Sequence, residues 1–320
     1  MSAAEPNANA SESAQAPAPI SNPVDDSART FFIGPEGLRP GWSVFLYFCL
    51  GVGVFFAVSS FSRFIPARGA AQLWQSMFTE FALAAAALLP AVVIGLIEKR
   101  PFGVYGLPVR GLSGPQLWMG LLWGIAALSL LMALMRAAGV FSYGSVMLHG
   151  GRAARFAVFW AAYFLLVGFF EEFTFRGYTQ YTLGRGIGFW RAALALSFLF
   201  GAIHLQNPGE AWVGALAAGL LGLFLCFTLR RTGSLWFAVG MHASWDWGES
   251  YLYSVPDSGG MATGHLLHSS FQGPRWLTGG SVGPEGSVFV FVVIAIMWVV
   301  FDRLYPHAAP AALLREPHHE

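Results

Sequence analysis

The feature that most constrains this chain is the recurrence of apolar runs of roughly 18 to 25 residues, the length a helix needs to cross a hydrocarbon core ~30 Å thick. The segments are Trp42 to Phe61, Leu73 to Ile97, Leu117 to Val140, Phe156 to Leu183, Phe189 to Leu205, Trp212 to Leu229, Leu235 to Trp247 and Val288 to Leu304. The fourth is long for one crossing and the seventh is short. Of the 320 residues 55% are hydrophobic and 11% charged, where a soluble domain carries about 25% charged residues. A soluble fold is therefore not expected. The expected fold class is all-α, a polytopic membrane bundle of about eight transmembrane helices.

The formal net charge is +1 and no long basic block is present, so nucleic acid is not expected as a partner. Cys49 and Cys226 each lie inside an apolar run, where a thiol packs as a small hydrophobe. Residues 1–38 are rich in Ala, Pro, Ser and Asn and are expected to form a disordered tail. Residues 39–306 form the transmembrane domain and 307–320 a C-terminal tail. No basic region leads directly into a short apolar stretch with a small-residue cleavage site, so the first helix is expected to stay uncleaved. A loop from about Glu249 to Gly286, containing GPRWLTGGSVGPEG, is too rich in Gly and Pro to be regular.

Orientation follows from the basic residues, which are retained in cytoplasmic loops. With eight crossings, the side shared by both termini holds Arg29, Arg39, Lys99, Arg100, Arg110, Arg185, Arg191, Arg230, Arg231, Arg303 and Arg315. The opposite side holds Arg63, Arg68, Arg136, Arg152, Arg155 and Arg275. Both termini are expected to be cytoplasmic. The scarcity of Lys beside many Arg, with abundant Ala and Gly, points to a GC-rich bacterial source and so to an inner membrane.

Ionisable side chains are costly inside a bilayer and tend to mark function. The spans hold few: Glu80 in the second, Glu171, Glu172 and Arg176 in the fourth, His204 in the fifth, and His242 and Asp246 in the seventh. Residues four apart share a helical face, so Glu172 can pair with Arg176, and His242 lies beside Asp246. Glu171 points about 100° away from Glu172. One carboxylate can thus be tied to arginine while its neighbour faces a cavity, the split that acid and base roles require. Measured from the arginines at the cytoplasmic helix ends, Glu171, His204, His242 and Asp246 lie at depths of roughly 17 to 22 Å. Three helices can therefore bring them to one layer. Glu80, near a helix end and without a visible partner, reads as interfacial.

These residues resemble the motifs of the CPBP family of intramembrane glutamic endopeptidases, the CAAX protease and bacteriocin-processing group, also called Abi proteins. Its two glutamates followed by three residues and an arginine are Glu171-Glu172-Phe173-Thr174-Phe175-Arg176 here. Its phenylalanine four residues before a histidine is Phe200 with His204, and its histidine four before an asparagine or aspartate is His242 with Asp246. The resemblance covers about residues 155–250. Prenyl-protein members typically carry asparagine where this chain has Asp246.

The resemblance implies Glu171 as general base and His204 as a second holder of the attacking water. His242 and Asp246 would face the oxyanion. Asp246 donates a hydrogen bond only if protonated, and if ionised it would orient His242 instead. Glu172, Arg176 and Phe200 support the site. The implied substrate is a peptide or protein in the bilayer, cut near a lipidated or hydrophobic C-terminus or within a bacteriocin-type peptide, with no cofactor and no metal. A zinc site is a competing arrangement, with Glu171, His204 and His242 as ligands, although no helix carries H-E-x-x-H. A non-enzymatic scaffold or immunity protein, or a small transporter using the buried carboxylates, is a further alternative.

Overall fold

The computed structural model describes residues 30–35, 37–65, 71–108 and 114–306. Residues 1–29 of the tail expected at 1–38, and the tail expected at 307–320, lie outside the described residues. Within the segment expected to be wholly disordered, Ile33–Gly34 pairs antiparallel with Gly37–Leu38. Arg39 closes this hairpin by donating to the carbonyls of Phe32 and Thr30. Composition missed it because so short a ladder depends on one turn, where Gly37 takes a φ of 101°.

All eight expected segments are helical. We number the helices α1 (Pro40–Ser59), α2 (Ala71–Ile97), α3 (Pro115–Ala137), α4 (Gly150–Glu172), α5 (Gln180–Ile187), α6 (Phe189–His204), α7 (Trp212–Thr232), α8 (Leu235–Trp247) and α9 (Phe289–Leu304). A π-helical stretch, Phe173–Thr179, joins α4 to α5 without a break, so the long fourth segment is one helix of 38 residues. A second π stretch, Gly248–Tyr253, prolongs α8. The short seventh segment therefore continues past Trp247, and Glu249 sits on a helix rather than in the loop. Among the described residues, 5 helices are long and apolar enough to cross a membrane. This is an integral membrane helical bundle.

Helix α1 shows the inverted pattern that a lipid solvent demands. Its Phe45, Phe48, Val52 and Phe56 are exposed, while Ser43 and Tyr47 are buried. Gly51 continues the same stripe and lets α1 approach the Ala86 carbonyl of α2. That carbonyl has no intrahelical donor, because Pro90, four residues on, lacks an N–H. Small residues allow close backbone approach where apolar burial gives no net gain over lipid.

Helix α8 is the centre of the bundle. It packs along α3 on one side and α4 on another, and α7 also touches it. Every α8 residue except His242 and Trp247 is buried. Gly120 and Gly124 of α3 form a G-x-x-x-G pair, and a Cβ at either would overlap the carbonyl of Phe237 or Met241 in α8. Gly240 of α8 reciprocates against the Leu117 carbonyl. Helix α4 is tied to the far end of α8 by Trp247 Nε1 donating to Ala157 O (3.0 Å) and Tyr251 Oη to Ala153 O (2.8 Å).

The long loop is more ordered than its composition suggests. Ser270–Phe271 pairs with Phe141–Ser142, Val146 bridges Leu267, and Arg275–Thr278 makes one helical turn. The connection between α3 and α4 thus satisfies backbone groups that Gly and Pro residues leave unpaired within the loop itself.

Candidate active site

The two helices that carry the main motifs both widen from α to π geometry at the motif. Glu171 and Glu172 are the last residues of α4 before the first π stretch. Asp246 precedes the second by two residues. Such wide turns often mark functional positions because they re-aim side chains without breaking the helix.

Glu172 is fully buried and is held twice. Its Oε1 accepts from Arg176 Nη1 at 3.0 Å and from His242 Nδ1 at 2.7 Å. Gly222 of α7 leaves the space into which the Arg176 guanidinium fits. The same guanidinium lies 4.1 Å from the centroid of the Phe200 ring, and that ring is 4.5 Å from the His204 ring. Phe200 therefore joins the buried ion pair to His204, which explains physically why an aromatic residue precedes that histidine by one helical turn.

The histidines have defined proton placements. His204 Nδ1 lies 2.8 Å from the Phe200 carbonyl oxygen. A carbonyl only accepts, so Nδ1 carries hydrogen and the Nε2 of a neutral ring is left as an acceptor. His242 likewise donates from Nδ1 to the Glu172 carboxylate. Its Nε2 faces Glu171 Oε2 at 3.7 Å and Asp246 Oδ2 at 3.4 Å. The shortest bond to this ring comes from Glu172, so the orienting bond considered for Asp246 is made by the carboxylate paired with Arg176.

Glu171, His204, His242, Asp246 and Phe200 line one cavity of about 280 Å³. Glu171 is the partly accessible member of the glutamate pair, with 27% of its side chain exposed. Sequence reasoning missed several other lining residues. Glu80 does not sit at an interface without a partner. It faces this cavity, and Tyr163 Oη donates to its Oε1 at 3.2 Å. The available signal was that Glu80 is the sole charged residue of α2. Asp257, Ser258 and Glu285 of the long loop also line the cavity. Desolvation, reinforced by Asp246 and Glu285, pushes the Asp257 carboxyl well above the usual range.

The ligand atoms of Glu171, His204 and His242 do not form a metal-sized group. Among the described residues, the set of His, Cys, Asp or Glu whose ligand atoms all lie within 4.8 Å of one another is Glu249, Asp257 and Glu285.

Fold and cavity together define an integral membrane helical bundle with a cavity lined by carboxylate and imidazole side chains. Residues 153–248 match the model of the Rce1-like family, described as type II CAAX prenyl endopeptidase Rce1-like, the CPBP and CAAX protease group whose motifs the chain carries. The match takes in α4 to α8, and at family level it makes this part of the chain similar to CAAX-type intramembrane proteases. No curated protein and no solved structure matches the chain.

Proposed function

We propose that the protein cleaves peptide bonds within the membrane using a water activated by Glu171. The supporting observation is the division of the glutamate pair: Glu172 is buried against Arg176 and His242, while Glu171 opens into the cavity shared with both histidines. Water bound between Glu171 and His204 Nε2 gives its proton to Glu171 as its oxygen attacks the scissile carbonyl carbon. His242, protonated at Nε2, faces the resulting oxyanion, and Asp246 lies beside it. Collapse of the tetrahedral intermediate breaks the C–N bond, and Glu171 returns the proton to the leaving amine.

The substrate class that fits the family description is a peptide with a lipidated or hydrophobic C-terminal region, delivered through the bilayer. The test compares wild type with Glu171→Gln, purified in detergent, on prenylated and unprenylated C-terminal peptides and a peptide library. Wild-type cleavage reduced by about 10²-fold or more in Glu171→Gln is expected. Cleavage that is unchanged in the variant would overturn the mechanism, and proton-coupled uptake into vesicles dependent on Glu172 would favour the transporter reading instead.

A further inference from the structure

Glu249, Asp257 and Glu285 come from three separate segments: the π turn after α8, the start of the long loop, and its end. The backbone is built to bring them together. Gly259 N–H donates to the Val282 carbonyl at 2.9 Å, and Gly283, at a φ of 116°, lets the chain pass against the Pro256 carbonyl where any Cβ would collide. Ser250 Oγ donates to Asp257 Oδ2 at 3.2 Å and Ser258 Oγ to Glu285 Oε2 at 3.1 Å.

The group is incomplete as it stands. Glu249 is 0% exposed; the Trp245 indole N–H beside it is a neighbouring donor whose geometry closes no full hydrogen bond, and neither carboxylate oxygen has another partner. Among the described residues, no Lys or Arg forms an ion pair with any of the three carboxylates. A buried carboxylate without a partner is normally neutralised by a proton or a cation. Oxygen-only ligands on irregular backbone suit a hard divalent ion, and calcium tolerates such uneven geometry better than magnesium, which demands a near-ideal octahedron.

We infer that Glu249, Asp257 and Glu285 form a calcium-type binding site on the wall of the cavity, fastening the long loop to the end of the helix that carries His242 and Asp246. The ion reaches it through the cavity, which Asp257 and Glu285 line. Neutralisation would remove the mutual repulsion of the carboxylates, and the Ser250 and Ser258 hydroxyls supply neighbouring oxygens.

The test uses full-length protein in detergent, stripped with EDTA and titrated with calcium chloride. Binding is followed by thermal melting and by luminescence of terbium, a calcium substitute that Trp245 can sensitise. Parallel titrations use magnesium and manganese chloride. Saturable calcium binding with a raised Tm is expected, weakened at least tenfold in Asp257→Asn and in Glu285→Gln. Glu80→Gln, which alters another acid of the same cavity, should bind like wild type. Absence of saturable calcium binding would overturn the inference. So would binding that survives in the Asp257→Asn/Glu285→Gln double variant, or variants more stable than wild type with no response to calcium, which would show a proton-sharing cluster. Tighter binding of manganese or magnesium would overturn the choice of calcium. Because binding is read without activity and Glu171→Gln should retain it, failure here is distinct from failure of the protease reading.

Discussion

At the scale of single residues, the cavity holds more acidic side chains than the proposed chemistry needs, and the structure separates them by what holds each one. Arg176 and His242 occupy Glu172, whereas Asp246 approaches only the Nε2 side of His242. Asp246 is therefore free to act by donating a hydrogen bond or by its charge. Asp246→Asn keeps the shape and a donor but removes the charge. We expect this variant to keep activity within about tenfold of wild type, while Asp246→Ala loses about 10² to 10³, the usual effect of deleting an oxyanion contact. Steady-state kinetics on the same peptide checks both, and comparable losses in the two variants would assign Asp246 a charge role. The motif residues were legible in the sequence because helical spacing alone pairs Glu172 with Arg176 and His242 with Asp246. The partners of Glu80 and of the His242 Nδ1 were not, because Tyr163 and Glu172 are 83 and 70 residues away along the chain.

At the scale of elements, the position of His242 depends on how closely α8 can approach its neighbours. Gly124 has no room for a Cβ beneath the Met241 carbonyl, the residue just before His242. Gly124→Ala should destabilise the protein by about 1 to 3 kcal/mol through overpacking and lower activity, because relieving the clash displaces the backbone at His242. Gly151→Ala is the control, since a Cβ there meets nothing within 4 Å. Thermal melting in detergent with activity assays tests the pair, and equal stabilities would refute the packing argument. Helix existence was readable from apolar runs, but the π stretches were not. Stretches of 7 and 6 residues are too short for sequence periodicity to distinguish an i→i+4 from an i→i+5 repeat. A wide turn also acts as an inserted residue, so deleting one residue from Phe173–Thr179 would let the stretch return to α geometry. The loop was misread for a different reason: Gly and Pro indicate irregular backbone but not that a remote segment pairs with it.

At the scale of the molecule, the distribution of arginines predicts an orientation that can be measured. A reporter fused after Glu320 should be active in the cytoplasm, and an extracytoplasmic signal would overturn that orientation. The size of the cavity carries a consequence for what can react there. At about 280 Å³ it lies just below the range of pockets that hold small ligands, roughly 300 to 1,000 Å³, and an α-helix is ~10–12 Å across with its side chains. A substrate that crosses the bilayer as a helix would not fit. On the proposed reaction its chain must first unwind, which exposes amide groups that lipid cannot solvate. Segments already frayed, at a chain end or beside a proline or glycine, pay least for that step. Selectivity would then reside less in matching side chains to pockets than in how readily a short stretch of the target melts.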